Sequence, residues 1–240
     1  MHNLYYFVLI PMVYFAVGVF VIGTGARLIA LMKAPPNPTS LAIYPLKKPG
    51  WLWAVIDTFT FPTVRRHKPL LWIALIVFHV ALLLLLLGHI ELIAPIAALA
   101  FIPHYIFIGG GWLGVILSVT ILFFLFRRFH SPVKELSVAE DYLLLILLFL
   151  TIVFGSQMNW ARNWLDYDSI GVGSYSTYLM GLLHFRPVLP MEIEGAGHGF
   201  MLVLHVFFAN LVLIFFPFSQ LMHSILALPA NKLRRGGTHG

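Results

Sequence analysis

An unbroken apolar run, Ala81–Leu87, sits inside a stretch of about 70–93 that carries two histidines and no lysine or arginine. A water-soluble domain cannot hide such a segment. A bilayer core of roughly 30 Å asks for about 20 apolar residues of helix, and this stretch supplies them. Four more stretches qualify, at about 4–32, 105–126, 142–158 and 197–228. The composition agrees: 60% of the 240 residues are hydrophobic and 10% charged, whereas a soluble domain is about 45–50% apolar and about 25% charged. This excludes a soluble enzyme, a disordered chain and a nucleic-acid-binding domain. The net charge of +6 is the signature of basic loops on one side of a membrane as much as of a basic surface.

The expected architecture is therefore all-α and integral to the membrane, a single domain over 1–240 with five transmembrane helices in a bundle. Lys33, Lys47, Lys48, Arg65, Arg66 and Lys68 follow the first stretch; Arg127, Arg128 and Lys134 follow the third; Lys232, Arg234 and Arg235 follow the fifth. The positive-inside rule then puts the N-terminus outside and the C-terminus in the cytoplasm, and an odd number of spans agrees. Residues 33–69, rich in proline and then in Trp51, Trp53, Phe59 and Phe61, become a cytoplasmic connection, and 159–196 an outer loop. The first stretch has no basic leader and no small-residue cleavage site, so it reads as a span rather than a signal peptide. The expected location is the cytoplasmic membrane of a prokaryote, crossed several times.

Ionisable side chains inside spans are costly and point to function. His79 and His89 lie on the second span, and His205 and His223 on the fifth. With antiparallel spans, His89 is level with His205 and His79 with His223. Eighteen residues is five whole turns at 100° per residue, so His205 and His223 fall on one face of a regular helix, while His79 and His89 are about 80° apart. Neutral imidazole is a good iron ligand, and two stacked bis-histidine b haems fit this arrangement. One feature fits badly: the axial rises are about 15 Å and about 27 Å, so a bend at Pro217 is expected to absorb the difference. A transporter or proton channel built on membrane histidines, or a non-redox membrane anchor, are the competing readings. With no carboxylate in the middle of a span, the first of these lacks a proton-carrying chain of acidic groups. No cysteine is present, so no iron–sulfur cluster is held by these residues alone.

The pairs Phe78-His79 and Gly88-His89, the helix with Leu204-His205, and the run Phe216-Pro217-Phe218-Ser219-Gln220-Leu221-Met222-His223 resemble the gamma-subunit family of respiratory nitrate reductase. The resemblance spans nearly the whole chain. It implies a quinol-oxidising dihaem cytochrome b whose axial ligands match His89 and His205 for an outer haem and His79 and His223 for an inner one. The segment Gly181–Pro187 (GLLHFRP) is more similar to another branch. That branch holds the membrane cytochrome of the dissimilatory sulfite-reduction complex (DsrM type) and its Hdr-like menaquinol relatives. The nitrate reductase chains carry a lysine between their second and third helices; here that region has His104 and no lysine. The lean is toward the sulfite-reduction branch, with a nitrate reductase gamma subunit as the alternative.

Under this resemblance the chain is an electron-transfer subunit. It passes electrons between menaquinol at the outer face and a cytoplasmic iron–sulfur partner. His104, Glu91 and Arg186 are the candidates for the quinone site. Arg65, Arg66 and Arg162 are the candidates for haem propionates, because the guanidinium fork suits carboxylates.

Overall fold

The computed structural model describes residues 2–33, 48–94, 96, 106, 111–165, 171–189 and 199–234. Every long element among them is a helix: α1 (His2–Leu9), α2 (Pro11–Met32), α3 (Gly50–Thr60), α4 (Pro62–His67), α5 (Pro69–Glu91), α6 (Trp112–Arg127), α7 (Ala139–Trp164), α8 (Val172–Leu183), α9 (Gly199–Phe215) and α10 (His223–Arg234).

Four stretches are long and apolar enough to cross a bilayer: Asn3–Met32, Pro69–Glu91, Ala139–Ala161 and Gly199–Phe218. The expectation of five transmembrane helices is thus corrected to four. Within the stretch read as a third span, 105–126, the described helix is Trp112–Arg127, and its 16 residues extend about 24 Å at 1.5 Å per residue. The reason is local. Gly111, the residue before the helix, has φ +70°, a left-handed conformation through which a right-handed helix cannot propagate. Gly109 and Gly110 precede it. Four spans withdraw the support that an odd count lent to an outer N-terminus and a cytoplasmic C-terminus, and the sides on which the termini lie are not set by the fold.

The chain divides into two compact units whose boundaries fall inside α2 and α5. The first comprises Met1–Gly18 and Val77–Ile214. Its core has two parts. In one, Val8, Leu9 and Ile10 pack with Tyr178 and Leu182 of α8 and with Leu202 and Val203 of α9. In the other, Ala81 of α5 packs with Leu113, Leu117 and Ile121 of α6 and Ile152 of α7. Gly114 lets α6 and α7 meet closely, for a Cβ there would lie 1.7 Å from Ser156 Oγ. Pro11 has no amide hydrogen and interrupts the first span between α1 and α2. Two carbonyls at this break are met by side chains. The Tyr178 hydroxyl donates to Leu9 O at 2.6 Å, and Asn210 Nδ2 donates to Val8 O at 3.2 Å. A span tolerates proline when neighbouring helices bond the backbone in this way.

The second unit comprises Val19–Ile76 and Phe215–Gly240. Here α10 packs on α3, and Asn231 Nδ2 donates to Thr58 Oγ1 at 2.9 Å. Trp72 at the start of α5 donates its indole N–H to Thr60 O at 2.8 Å. Gly23 makes room for Pro217, which a Cβ would approach to 2.7 Å. The stretch expected to run helically over 197–228 is broken. After Phe215 come a short 3-10 turn (Phe216–Phe218), an extended Ser219 and a second 3-10 turn (Gln220–Met222). Pro217 removes a backbone donor and Ser219 Oγ accepts the Leu221 N–H at 3.2 Å, a local bond that competes with helix. Counting 100° per residue from His205 to His223 therefore fails, because no single helix joins them.

Candidate functional site

His89 is two residues from the end of α5 and follows the buried Gly88. His205 lies in the first half of α9, next to the buried Leu202 and Val203. Both belong to the first unit. Their ring centroids lie 6.1 Å apart and their planes are 25° apart. Two imidazole nitrogens each about 2 Å from a shared metal, on opposite sides of it, put the ring centroids roughly 6 Å apart. The pair thus has the separation that one metal ion between two histidines needs.

The second ring nitrogens are already committed. His89 Nδ1–H donates to Leu85 O at 2.8 Å, one turn earlier on the same helix. His205 Nδ1–H donates to Thr151 O at 2.8 Å, reaching from α9 to α7. A hydrogen bond at Nδ1 fixes the tautomer and leaves Nε2 as the lone-pair nitrogen, the usual preparation of a metal-bound histidine. The Thr151 hydroxyl turns back on its own helix to Leu147 O at 2.7 Å, so only its carbonyl is offered to His205. Gly155 lies one turn further along α7. A Cβ there would come within 2.7 Å of His205 Nδ1 and 2.8 Å of Cε1. Neither Thr151 nor Gly155 stands out in the sequence. The one signal is a small residue one turn after a threonine on a span, a pattern that plain helix packing also produces.

His79 also lies on α5 in the first unit, half-buried, with its ring edge-on to Phe78 at 5.3 Å. His223 opens α10 in the second unit and is exposed; its Nδ1–H donates to Gln220 O at 2.7 Å. It borders a cavity of about 480 Å³ whose walls include Asp57, Thr58, Phe61, Met222 and Asn231. Cavities of this size hold small organic ligands, typically 300–1,000 Å³. Among the described residues no three or more His, Cys, Asp or Glu side chains gather as a metal cluster.

The remaining candidates are spread more widely. Glu91 is the last residue of α5, two residues past His89 and half-buried. Arg65 and Arg66 are exposed on α4. Arg162 is in α7 by its backbone. His104 lies outside the described residues. Arg186 is exposed, and its backbone explains the GLLHFRP segment. The Arg186 N–H bonds Gly181 O at 2.8 Å, and the Phe185 N–H bonds Leu182 O at 3.2 Å. Phe185 takes a left-handed φ of 56°. This is the closing motif of a helix C-terminus, and the Phe185 ring lies flat on Tyr14 at 5.5 Å.

A family model described as nitrate reductase gamma subunit matches residues 63–237, a segment that contains His79, His89, His205 and His223. The chain belongs to the nitrate reductase gamma subunit family. It is a multi-pass membrane protein. One relative within reach is the Hdr-like menaquinol oxidoreductase cytochrome b-like subunit of Archaeoglobus fulgidus. It is 30% identical over 167 residues, covering 64% of this chain and 47% of the relative. The chain thus spans about half the length of the curated relative it matches. Both the family and this relative agree with the resemblance drawn from the histidine spacings; neither is described by sulfite reduction.

Proposed function

We propose that this chain is the membrane cytochrome b subunit of a quinone-linked oxidoreductase, of the kind the nitrate reductase gamma description names. His89 and His205 would hold one b haem through their Nε2 atoms. By the sequence resemblance, His79 and His223 would hold a second. The reading extends to menaquinol as the electron donor or product, as in the name of the archaeal relative, and to an iron–sulfur subunit as the redox partner. With no cysteine in these 240 residues, the next carrier lies on another polypeptide segment.

The observation that carries the reading is the pair His89 and His205, 6.1 Å apart, each with Nδ1 tied to a carbonyl. A b haem, when bound, takes and gives one electron at a time. The chain's own residues do the rest. Leu85 and Thr151 carbonyls hold the two rings in the tautomer that presents Nε2. The apolar side chains of α5 and α9 keep water from the pair. Glu91, at the same end of α5, is the carboxylate available to take a proton from a quinol oxygen. His104 and Arg186 remain candidates for the same quinone site. The second haem, with His79 and His223 as its ligands, is carried by the sequence resemblance. Arg65, Arg66 and Arg162 remain candidates for its propionates or those of its neighbour.

A reduced-minus-oxidised absorbance spectrum of the purified protein tests this reading. Two b haems per chain are expected. His89→Ala and His205→Ala should each remove the same one haem, and His79→Ala and His223→Ala the other. A pure, folded, colourless protein would refute it and favour a membrane anchor or a transporter.

A further inference from the structure

The bond between His205 and Thr151 differs in kind from those of five other described histidines. His67, His89, His130, His184 and His223 each turn Nδ1 to a carbonyl three or four residues earlier in their own segment. Such bonds form wherever a helical histidine folds back. His205 instead reaches a main-chain carbonyl on a different helix, 54 residues away in sequence. A carbonyl inside a helix already accepts the N–H four residues on, which for Thr151 is the N–H of Gly155. It has a second lone pair, but the side chain of the residue one turn later normally covers it, because helical side chains lean back over the preceding turn. Gly155 has no side chain. Its place is taken by the imidazole, 2.7 Å from where a Cβ would sit.

We propose that Gly155 is a positioning residue for His205: its missing Cβ uncovers the Thr151 carbonyl and seats the ring, so that α7 sets the orientation and electron donation of a ligand carried on α9. The inference rests on the proposed haem at His89 and His205. A bonded Nδ1–H makes Nε2 a stronger donor, and stronger donation favours the oxidised, more positive metal. Gly155→Ala inserts a methyl group into the space that the ring fills. The ring must turn, and the bond to Thr151 O lengthens or breaks. Donation then weakens, and the reduced form gains.

The test uses the full chain in native membranes, with four variants: Gly155→Ala, His205→Ala, the double variant, and Gly18→Ala as a control whose added Cβ would meet nothing within 4 Å. Redox-titrated absorbance, low-temperature electron paramagnetic resonance of the low-spin signals, and the amount of chain in the membrane are measured. In Gly155→Ala one haem should show a displaced low-spin signal and a higher midpoint potential, with the other unchanged. Gly18→Ala should match the unaltered protein. If Gly155→Ala does not accumulate, the double variant should accumulate as well as His205→Ala, because the obstructing ring is gone. Unchanged signals and potentials in Gly155→Ala would overturn the proposal. So would the same shift in Gly18→Ala, or a double variant that fails where His205→Ala succeeds. An unaltered chain without b haem would instead refute the haem reading itself.

Discussion

Replacing Tyr178 with phenylalanine removes one oxygen and leaves the ring. That oxygen is 2.6 Å from Leu9 O, and the tyrosine is 3% exposed. The packing of Tyr178 against Leu9, Leu182 and Val203 stays, so the change isolates one bond at the break before Pro11. A buried acceptor that loses its donor costs about 1–3 kcal/mol, and a typical bond contributes about 0.5–1.5 kcal/mol net. Interhelical bonds in membranes fall lower, averaging about 0.6 kcal/mol with a ceiling near 1.7. Full burial puts Tyr178 toward the upper part of that range, and the expected loss is about 1–1.5 kcal/mol. Reversible denaturation in mixed detergent, followed by tryptophan fluorescence, reads it directly. Asn210→Leu, which removes the donor to Val8 O, should show a loss of similar size. The two changes together should cost less than their sum, because they serve adjacent carbonyls of one break. A Tyr178→Phe protein within roughly 0.3 kcal/mol of the unaltered chain, inside the usual scatter of such comparisons, would refute the view that side chains hold this break closed.

Other outcomes follow from named contacts. Arg128 Nη1 lies 2.9 Å from Asp141 Oδ2, and the aspartate side chain is 3% exposed. Arg128→Met should destabilise the protein by about 1–3 kcal/mol in the same denaturation assay, since it leaves a buried acceptor without its strongest donor. Burial first, and Tyr14 second, push the Tyr178 hydroxyl above its ordinary value of 10.0. The folded state therefore favours the neutral phenol. Stability from this group is full below about pH 10 and is lost as pH rises beyond it. Alkaline denaturation should accordingly set in at higher pH for Tyr178→Phe than its neutral-pH stability alone would suggest.

Much of this molecule can be read from its residues. The span expected over 70–93 is α5, Pro69–Glu91, because twenty apolar residues without a helix breaker permit little else. The third expected span fails at Gly111, where apolar content alone says nothing of a left-handed φ. The last span is present as Gly199–Phe218 but does not run helically on to 228. Pro217 accounts for a bend, but the extended Ser219 depends on a side-chain bond that hydropathy does not register. The site divides in the same way. His89 and His205 are visible because an imidazole in a span is rare, and antiparallel spans bring them level. Thr151 and Gly155 are not. One contributes a main-chain oxygen, which every residue has, and the other contributes an empty space.

The commitment of both Nδ1 atoms has a consequence for traffic through the membrane. An imidazole hands a proton onward by losing it from one nitrogen while gaining it at the other. With Nδ1 anchored to Leu85 O in His89 and to Thr151 O in His205, neither ring can turn over in that way without first breaking its anchor. Under the proposed haem reading, electrons and protons would then take separate routes. If the proposed quinol oxidation is measured, a solvent deuterium isotope effect on it should report on groups other than these two histidines.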